Sequence, residues 1–332
     1  MSRLNQTWHA GIIAMTLILS IHERILAAPP VLALPIKCQI GAECYIQNFV
    51  DHDKGPGWRD YAEGALSTNG HGGTDFSLVN QRVMRAGVDV LAASSGIVAA
   101  THDGEADISV RQNQTKDFKR GGAGNFVRIR HADGWETQYS HLKRGSITVH
   151  PGWRVETGTI LGQVGLSGNS EFPHMHFSVR HHGQVVDPFM PTPHLAGGGK
   201  QSLWAPAVDN QLTYCPAGLL YGGFATEIPS RDKAEAGEYF STTLSRDSPS
   251  IAFWIVMFGL RKDDIVEMCL SNTHGEMINE RQKVENNNAM LFAFIGKHRS
   301  EKIWPPGVYT GRVVLYRDVG AVIEETRSIS RD

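Results

Sequence analysis

The sequence has no excess of charge of either sign. Its 332 residues include 32 lysines and arginines against 34 aspartates and glutamates, a net charge of −2. Domains that bind nucleic acid usually carry a strong basic excess, so the charge argues against a nucleic-acid partner. With 41% apolar and 20% charged residues the composition is that of a globular protein. The length suits two domains better than one.

Long apolar runs are also scarce. One run, at 10–21, follows Arg3 and precedes the small residues Ala27 and Ala28, which is the order of an export signal. It is shorter than the roughly 20 residues that cross a bilayer as a helix. We therefore expect residues 1–28 to be a signal peptide. The mature protein would then be periplasmic or secreted, with no stable membrane span. An uncleaved membrane anchor is the alternative.

Cysteine is sparse, and its spacing does not indicate a metal site. The four cysteines are Cys38, Cys44, Cys215 and Cys269, and no C-x-x-C pair occurs among them. An even number in an exported chain favours disulfides, and four cysteines allow three pairings. We favour Cys38 with Cys44 and Cys215 with Cys269, because each pair then lies within one expected domain.

The chain contains no tandem repeat and no low-complexity tract, and its apolar pattern is that of short strands. In the first half, residues 91–100, 126–130, 135–141 and 155–164 have strand character, with an Asp133-Gly134 hairpin signal, and no segment has a convincing helical period. In the second half, 251–258, 264–270, 289–295, 308–316 and 321–326 indicate a small sandwich. The pattern predicts an all-β protein.

Glycine- and proline-rich stretches divide this pattern into segments. The expected organisation is a signal peptide (1–28), a lead-in segment (29–62), a first β domain (63–195), a linker (196–210) and a C-terminal β domain (211–332).

One strand pattern carries paired histidines. Met175, Phe177 and Val179 alternate with His174 and His176. Because residues two apart in a strand point to the same face, both imidazoles project from the polar face. Two adjacent imidazoles are a natural beginning of a transition-metal site. A solvent-facing strand with two incidental histidines is the alternative at this point.

A second motif adds possible ligands. His71 and Asp75 flank Gly-Gly-Thr, where glycine allows the tight backbone that turns both side chains toward one point. A histidine nitrogen and an aspartate oxygen are both zinc ligands, and together with one strand histidine they leave a fourth position open, as in catalytic sites. Without the strand, the motif would be no more than a capped turn. No H-E-x-x-H helix is present to supply a glutamate base.

These motifs, together with Tyr139-Ser140-His141-Leu142, resemble the lysostaphin/LytM-type zinc endopeptidases. That family carries H-x-x-x-D, a separate Y-x-H-L and a final H-x-H on a strand. The resemblance covers roughly residues 63–190, including Gly124-Asn125, the Asp-Gly hairpin and a Gly-x-x-Gly-x-Ser-Gly stretch before the last motif. It implies a compact antiparallel β-sheet peptidase domain with a groove on one face. The small β-sandwich-like C-terminal domain would follow it.

The resemblance also implies residue roles. His71, Asp75 and His176 would bind Zn²⁺. His174 would act as the general base, and His141 would donate a hydrogen bond to the developing oxyanion, although the two could exchange roles. Tyr139 and Asn69 lie near the expected groove, and substrate contact by either stays open.

The implied activity is hydrolysis of peptide crosslinks in bacterial peptidoglycan by an exported enzyme. A bond next to D-alanine is the expectation for a periplasmic enzyme, and partner proteins stay unknown. Peptidase action on other extracellular peptides is one alternative. A non-catalytic regulator of other wall hydrolases is the other; because such a member would lack at least one of the five site residues, the complete set argues against it.

One segment precedes the resemblance and another departs from it. The lead-in carries His52, and the idea that it reaches the metal as a latency device stays open. An insertion between Ala100 and Gly121 would shape specificity or form a solvated loop without a role; its charged residues include Arg111, Lys116, Asp117, Lys119 and Arg120.

Overall fold

A computed structural model of the protein describes residues 28–112, 122–191 and 202–331. Below, residues 28–191 are called the N-terminal part and residues 202–331 the C-terminal part. Apart from Ala28, the expected signal peptide lies outside the described residues, as do the first residues of the expected linker. The same holds for Lys116, Asp117, Lys119 and Arg120 of the insertion.

The N-terminal part is almost entirely β-structure. Its elements are β1 (Cys44–Asn48), β2 (Thr74–Leu78), α1 (Gln81–Ala86), β3 (Asp89–Leu91), β4 (Gly96–His102), β5 (Asn125–Arg130), β6 (Trp135–Leu142), β7 (Arg154–Val155), β8 (Ile160–Gln163), β9 (His174–His181) and β10 (Gln184–Val186). Eight strands form one antiparallel sheet in the order β1-β2-β9-β6-β5-β4-β7, with β10 also paired to β9. Strands β3 and β8 form a separate two-stranded sheet.

Strand β9 lies inside this sheet, between β2 and β6, and the alternation expected for it is confirmed. Met175 and Phe177 are fully buried and Val179 nearly so, while His174 and His176 are partly exposed on the other face. The expected hairpin is confirmed as well, because β5 and β6 pair as neighbours around Asp133-Gly134.

The C-terminal part contains two sheets. Its elements are α2 (Pro206–Asp209), β11 (Gly218–Ala225), α3 (Arg231–Ala236), β12 (Ser250–Leu260), β13 (Ile265–Asn272), β14 (Gly275–Lys283), β15 (Asn288–His298), β16 (Gly307–Arg317) and β17 (Gly320–Arg331). Sheet β11-β12-β15 faces sheet β14-β13-β16-β17 across an apolar core. The all-β prediction, with a sandwich-like second half, is confirmed.

Strand β12 explains how the two parts are joined. It is buried along both faces, as its nearly continuous apolar sequence requires. Phe253 and Ile255 belong to the core between the two C-terminal sheets. Trp254, Val256 and Phe258 belong to the core that also contains β9. Because one core continues across both parts, the domain limits expected from the sequence stay a prediction.

Several sequence expectations need correction. The strands expected at 91–100 and 155–164 are each divided: β3 ends at Leu91 and pairs with β8, whereas β4 begins at Gly96 and pairs with β5 and β7. The lead-in is not only turns, since it contributes the edge strand β1. Helix α1 was not expected, because six residues are too few to show a helical period.

The expected disulfide pattern is half right. Cys38 and Cys44 are bonded, but Cys215 and Cys269 are both free thiols, so the second pairing was wrong. Cys215 precedes β11 and donates to the carbonyl of Ala217 at 2.9 Å. Cys269 lies on β13 of the other sheet, with its sulfur 3.7 Å from the carboxylate of Glu276. Sharing a domain therefore does not bring the two sulfurs together.

None of the helices in the described ranges combines the length and the apolar character that crossing a bilayer requires.

Candidate active site

The three residues expected to bind metal converge on one point. Asp75 on β2 is the register partner of His176 on β9, and His71 lies in the turn that leads into β2. His71 Nε2 is 3.1 Å from Asp75 Oδ2, and His176 Nδ1 is 2.9 Å from Asp75 Oδ1. One donor atom from each of the three lies within 4.8 Å of the other two. The neighbouring strands thus build the trio from residues about a hundred positions apart.

A glycine allows the turn to approach the strand this closely. A Cβ atom on Gly73 would lie 2.6 Å from His176 Nε2 and 2.5 Å from the carbonyl oxygen of Phe177, both far inside van der Waals contact. The Gly-Gly of the first motif is therefore not simply flexible. Its second glycine is required where the His71 turn crosses β9, and a Cβ on Gly72 would meet only Val185 at 3.5 Å.

The lead-in segment fixes the orientation of His71. Its Nδ1 lies 2.8 Å from the carbonyl oxygen of Phe49, directly after β1. A carbonyl only accepts, so Nδ1 carries the proton, and in the neutral ring Nε2 is left with a lone pair directed at Asp75. Asn48 also donates to Asp75 Oδ2 at 2.9 Å. These contacts are of the kind that orients metal ligands in known sites.

The trio fits a zinc ion chemically. Two imidazole nitrogens and a carboxylate are an established catalytic zinc set. Ligands of a tetrahedral zinc lie about 3.3 Å from one another when each bond is close to 2.0 Å, and the two contacts to Asp75 are slightly shorter than that. The side chains are nearly buried, so few waters compete for the donor atoms.

Charge within the trio reinforces this fit. Burial disfavours the carboxylate of Asp75, but the histidines around it outweigh that effect and hold its pKa well below the usual range. Burial also works against protonation of His71, but Asp75 overcomes it and raises the pKa of His71 to about 9. Burial lowers the pKa of His176. A cation bound here would replace the proton that Asp75 attracts to His71, since ligand nitrogens must be deprotonated.

The two histidines expected to act in catalysis lie beside the trio. The rings of His141 on β6 and His174 on β9 are 4.6 Å apart between centroids. His141 Nδ1 donates to the carbonyl of Ser167 at 2.8 Å, and His174 Nδ1 donates to the carbonyl of Phe172 at 2.8 Å. In their neutral forms both rings therefore present an unprotonated Nε2. His174 Nε2 lies 3.7 Å from Asp75 Oδ1.

The backbone at His141 is unusual. Its φ of 61° lies in the left-handed region, which non-glycine residues rarely adopt. The conformation is held by His141 N donating to Ala123 O at 2.9 Å and by Gly165 N donating to His141 O at 3.0 Å. Such outliers cluster at functional sites. Burial, followed by the neighbouring His174 and His176, lowers the pKa of His141 to about 3, so this ring is neutral at ordinary pH.

The five residues line an open groove of about 720 Å³ on the face of the large sheet. Polar side chains of neighbouring strands form its floor, including Gln47, Ser77, Gln138, Ser140 and Ser178. Asn69 lies in the lining, but Tyr139 does not. Tyr139 is fully buried, and its hydroxyl accepts from Ala93 N at 2.7 Å, so of the two residues left open only Asn69 is placed to contact substrate.

His52 lies away from the metal trio. Its Nε2 is 2.7 Å from Asp187 Oδ2, and His52 neither lines the groove nor belongs to the group of donor atoms around Asp75. The hydrogen bond that His52 donates to Asp187 raises the pKa of His52 above its ordinary value. The lead-in therefore contributes Asn48 and the Phe49 carbonyl to the site, not a histidine that blocks it.

Some groove residues were missed by the sequence reasoning. The acceptor for His71 is a backbone carbonyl, which leaves no side-chain signature in the sequence. Arg231 and Met290 also line the groove, although they belong to the C-terminal part. Only an indication that the two parts share a core would have drawn attention to them.

Comparison with known proteins gives a family. Residues 82–188 match the model of peptidase family M23, a range that includes His141, His174 and His176. The chain is 36% identical over 125 residues to the DD-carboxypeptidase/endopeptidase Mpg of Neisseria meningitidis, covering 37% of this chain and 26% of that protein. It is 34% identical over 105 residues to the cell division protein DipM of Caulobacter vibrioides, covering 32% of this chain and 16% of that protein.

The chain thus spans about a quarter or less of the length of these two relatives. Among solved structures, the catalytic domain of the antimicrobial peptidase lysostaphin from Staphylococcus simulans is 23% identical, with a TM-score of 0.27, covering 45% of this chain and 88% of that domain. From its family match and its three motifs, the chain contains a domain of peptidase family M23, as its resemblance to the lysostaphin/LytM-type enzymes implied.

Proposed function

We propose that this protein is an exported, zinc-dependent metalloendopeptidase that hydrolyses peptide crosslinks of bacterial peptidoglycan, in the periplasm or outside the cell. One observation carries the proposal: three side chains that could hold a metal ion and two histidines whose Nδ1 atoms are hydrogen-bonded to backbone carbonyls meet in one open groove. The substrate class is supported by the relative from Neisseria meningitidis, whose name states DD-carboxypeptidase and endopeptidase activity.

His71 Nε2, Asp75 and His176 Nδ1 would hold the zinc ion. Bound there, zinc supplies a Lewis acid that polarises the scissile carbonyl and makes water more acidic. The protein's own contribution is orientation. The Phe49 carbonyl fixes the tautomer of His71, and Asn48 fixes one oxygen of Asp75.

His174 is the better proton acceptor of the remaining pair. The Nε2 of His174 lies 3.7 Å from Asp75 Oδ1, beside the proposed metal, and its side chain is 15% exposed, so groove water can solvate the imidazolium that forms when it takes a proton from the attacking water. The same charge on His141 would be deeply buried beside two other histidines. His174 can then pass the proton to the leaving amine, as a general acid.

His141 fits a different role from the one expected. A hydrogen bond to an oxyanion from its Nε2 would require the protonated ring, which burial disfavours. In the neutral ring, whose Nδ1 proton is committed to the Ser167 carbonyl, Nε2 accepts a hydrogen bond. We therefore assign His141 to orienting the attacking water toward the carbonyl carbon.

The groove suits an extended peptide. It is open along the sheet and lined by amide and hydroxyl side chains that can hydrogen-bond a peptide backbone. A crosslink in an insoluble mesh can enter such an open groove from the side, which a deep enclosed pocket would not allow.

The test is digestion of purified sacculi by the mature chain, with and without a chelator, followed by separation of the products by mass. Loss of crosslinked dimers that the chelator prevents is the expected result, and the product masses identify the bond. Intact dimers in the presence of bound zinc would contradict the crosslink proposal. That result would favour another extracellular peptide, or regulation of other hydrolases. His174→Ala provides the control for contaminating hydrolases.

A further inference from the structure

Two residues of the C-terminal part reach the groove of the M23 domain. Arg231 is the first residue of α3, Met290 lies on β15, and both belong to the groove lining. Arg231 Nη2 lies 3.1 Å from the sulfur of Met290. A thioether sulfur is only a weak hydrogen-bond acceptor. A stronger acceptor on a bound ligand could therefore take its place at Arg231.

A buried glutamate holds this arginine in place. Glu235, one turn later on α3, is only 2% exposed. It accepts from Arg231 Nε at 2.7 Å and also pairs with the guanidinium of Arg111, which comes from the insertion of the N-terminal part. Two guanidinium groups therefore share one carboxylate. One positive charge is left over, and it lies at the groove on the 36% exposed side chain of Arg231.

Hydrogen bonds of the insertion place the positive charge of Arg231 at the end of the groove near His174. Val110 N donates to the carbonyl of Ser170, and Ser109 donates to the carbonyl of Glu171. Arg111 follows directly and pairs with Glu235. Residues 170–172 lead into β9 at His174, so Arg231 lies on that side of the catalytic residues.

The donor geometry selects the kind of group that would bind. Nε of Arg231 is occupied by Glu235, and within the described part of the chain Nη1 has no acceptor. The free edge therefore offers Nη1 and Nη2 side by side, the pair that receives a carboxylate in a bidentate manner. The described acidic residues in the lining are Asp75 and exposed Glu171. A substrate carboxylate would complete the charge pairing at Arg231.

We propose that Arg231 binds a carboxylate of the substrate peptide at the His174 end of the groove, with Glu235 and Arg111 positioning its guanidinium. The C-terminal part is then a component of the substrate site, and it selects crosslinked peptides that carry a free carboxyl group. This inference rests on the proposed peptidase function of the same groove.

The test measures binding without turnover. In a His174→Ala background, calorimetry compares a purified crosslinked muropeptide dimer with the same dimer after its carboxyl groups are converted to amides. The His174→Ala parent should bind the free-acid dimer at least about 10-fold more tightly than the amidated dimer. That factor is in the range of a charge-assisted hydrogen-bond pair. Arg231→Gln should remove most of that preference while binding of the amidated dimer stays unchanged. Arg231→Lys should keep part of it, because the charge remains without the bidentate edge.

Arg312→Gln is the matched control, since Arg312 on β16 is similarly exposed and also paired with a glutamate, but it does not line the groove. It should behave as the parent does. The Arg231→Gln variant should fold, because Arg111 remains to pair with buried Glu235.

The proposal is overturned if the parent and Arg231→Gln prefer the free-acid dimer over the amidated dimer equally. It is also overturned if the parent shows no such preference or does not bind the dimer. Hydrolysis of the free-acid dimer by protein with His174 intact is measured in parallel. A carboxylate preference without hydrolysis would refute only the peptidase function. Hydrolysis without a preference would refute only the role of Arg231.

Discussion

Replacing Gly73 with alanine should damage the metal centre without touching any ligand. The new Cβ would lie 2.5 Å from the Phe177 carbonyl oxygen and 2.6 Å from His176 Nε2, roughly 0.8 Å inside an ordinary contact. The Phe177 carbonyl belongs to a strand paired on both sides and cannot yield. Either the turn that carries His71 must retreat, or the ring of His176 must rotate.

The size of the effect follows from the tolerance of metal sites. Ligand distances are held within about 0.2 Å in well-formed sites, so a displacement several times larger should lower zinc affinity by at least about 10- to 100-fold, as loss of an orienting contact does. Overpacking should also lower the free energy of unfolding by about 1–3 kcal/mol. The assay is competition for zinc with a chromogenic chelator, combined with denaturant unfolding of the metal-free protein.

Gly72→Ala is the matched control. Its Cβ would meet only Val185, at 3.5 Å, and Gly72 does not have a left-handed backbone. This variant should bind zinc as the parent does. Unchanged zinc affinity in Gly73→Ala, or an equal loss in both variants, would refute the reasoning that the turn and β9 are in obligatory contact.

Three further predictions concern the histidines and the thiols. His176→Ala should lose zinc and activity together, whereas His174→Ala should keep zinc and lose about 10²–10⁴-fold in turnover; metal analysis with kinetics separates the two, and loss of metal from His174→Ala would exchange their roles. Asp187 raises the pKa of His52 in the folded protein. The pair should therefore contribute its full stabilisation of the fold below about pH 6.5, and this contribution should be lost as the pH rises through the pKa of His52 in the folded state. His52→Gln should therefore cost more unfolding free energy near pH 5.5 than near pH 9, and a cost that grew with pH would contradict this. Titration of the denatured, unreduced protein should find two thiols per chain. Finding no thiol would mean that Cys215 and Cys269 are bonded after all.

The sequence predicted the site better than the surroundings that orient it. His174 and His176 could be placed on one face because strand alternation is a local property, and the structure has that alternation. The partner of His71 could not be predicted in this way, since a carbonyl such as that of Phe49 is present at every residue. Only the three-dimensional path of the lead-in selects it.

For the fold, too, the local pattern could be predicted from the sequence and the long-range partners could not. The β character of both parts is encoded locally, but which strands end where is decided by pairing partners. The run at 91–100 is apolar throughout, yet it serves two sheets and breaks between Leu91 and Gly96. Likewise, the continuous apolar run of β12 is explained by two cores on opposite faces. That shared core brings Arg231 to the groove, which no spacing in the sequence indicates.

The most direct test of the metal centre is reconstitution. Metal-free protein receives increasing zinc while hydrolysis of a purified crosslinked dimer is followed. We expect activity to be absent at first, to rise in proportion to the zinc added and to stop at one equivalent per chain, with no rise for His176→Ala. Full activity in the metal-free protein, or a rise that persists in His176→Ala, would contradict the assignment of the metal to His71, Asp75 and His176.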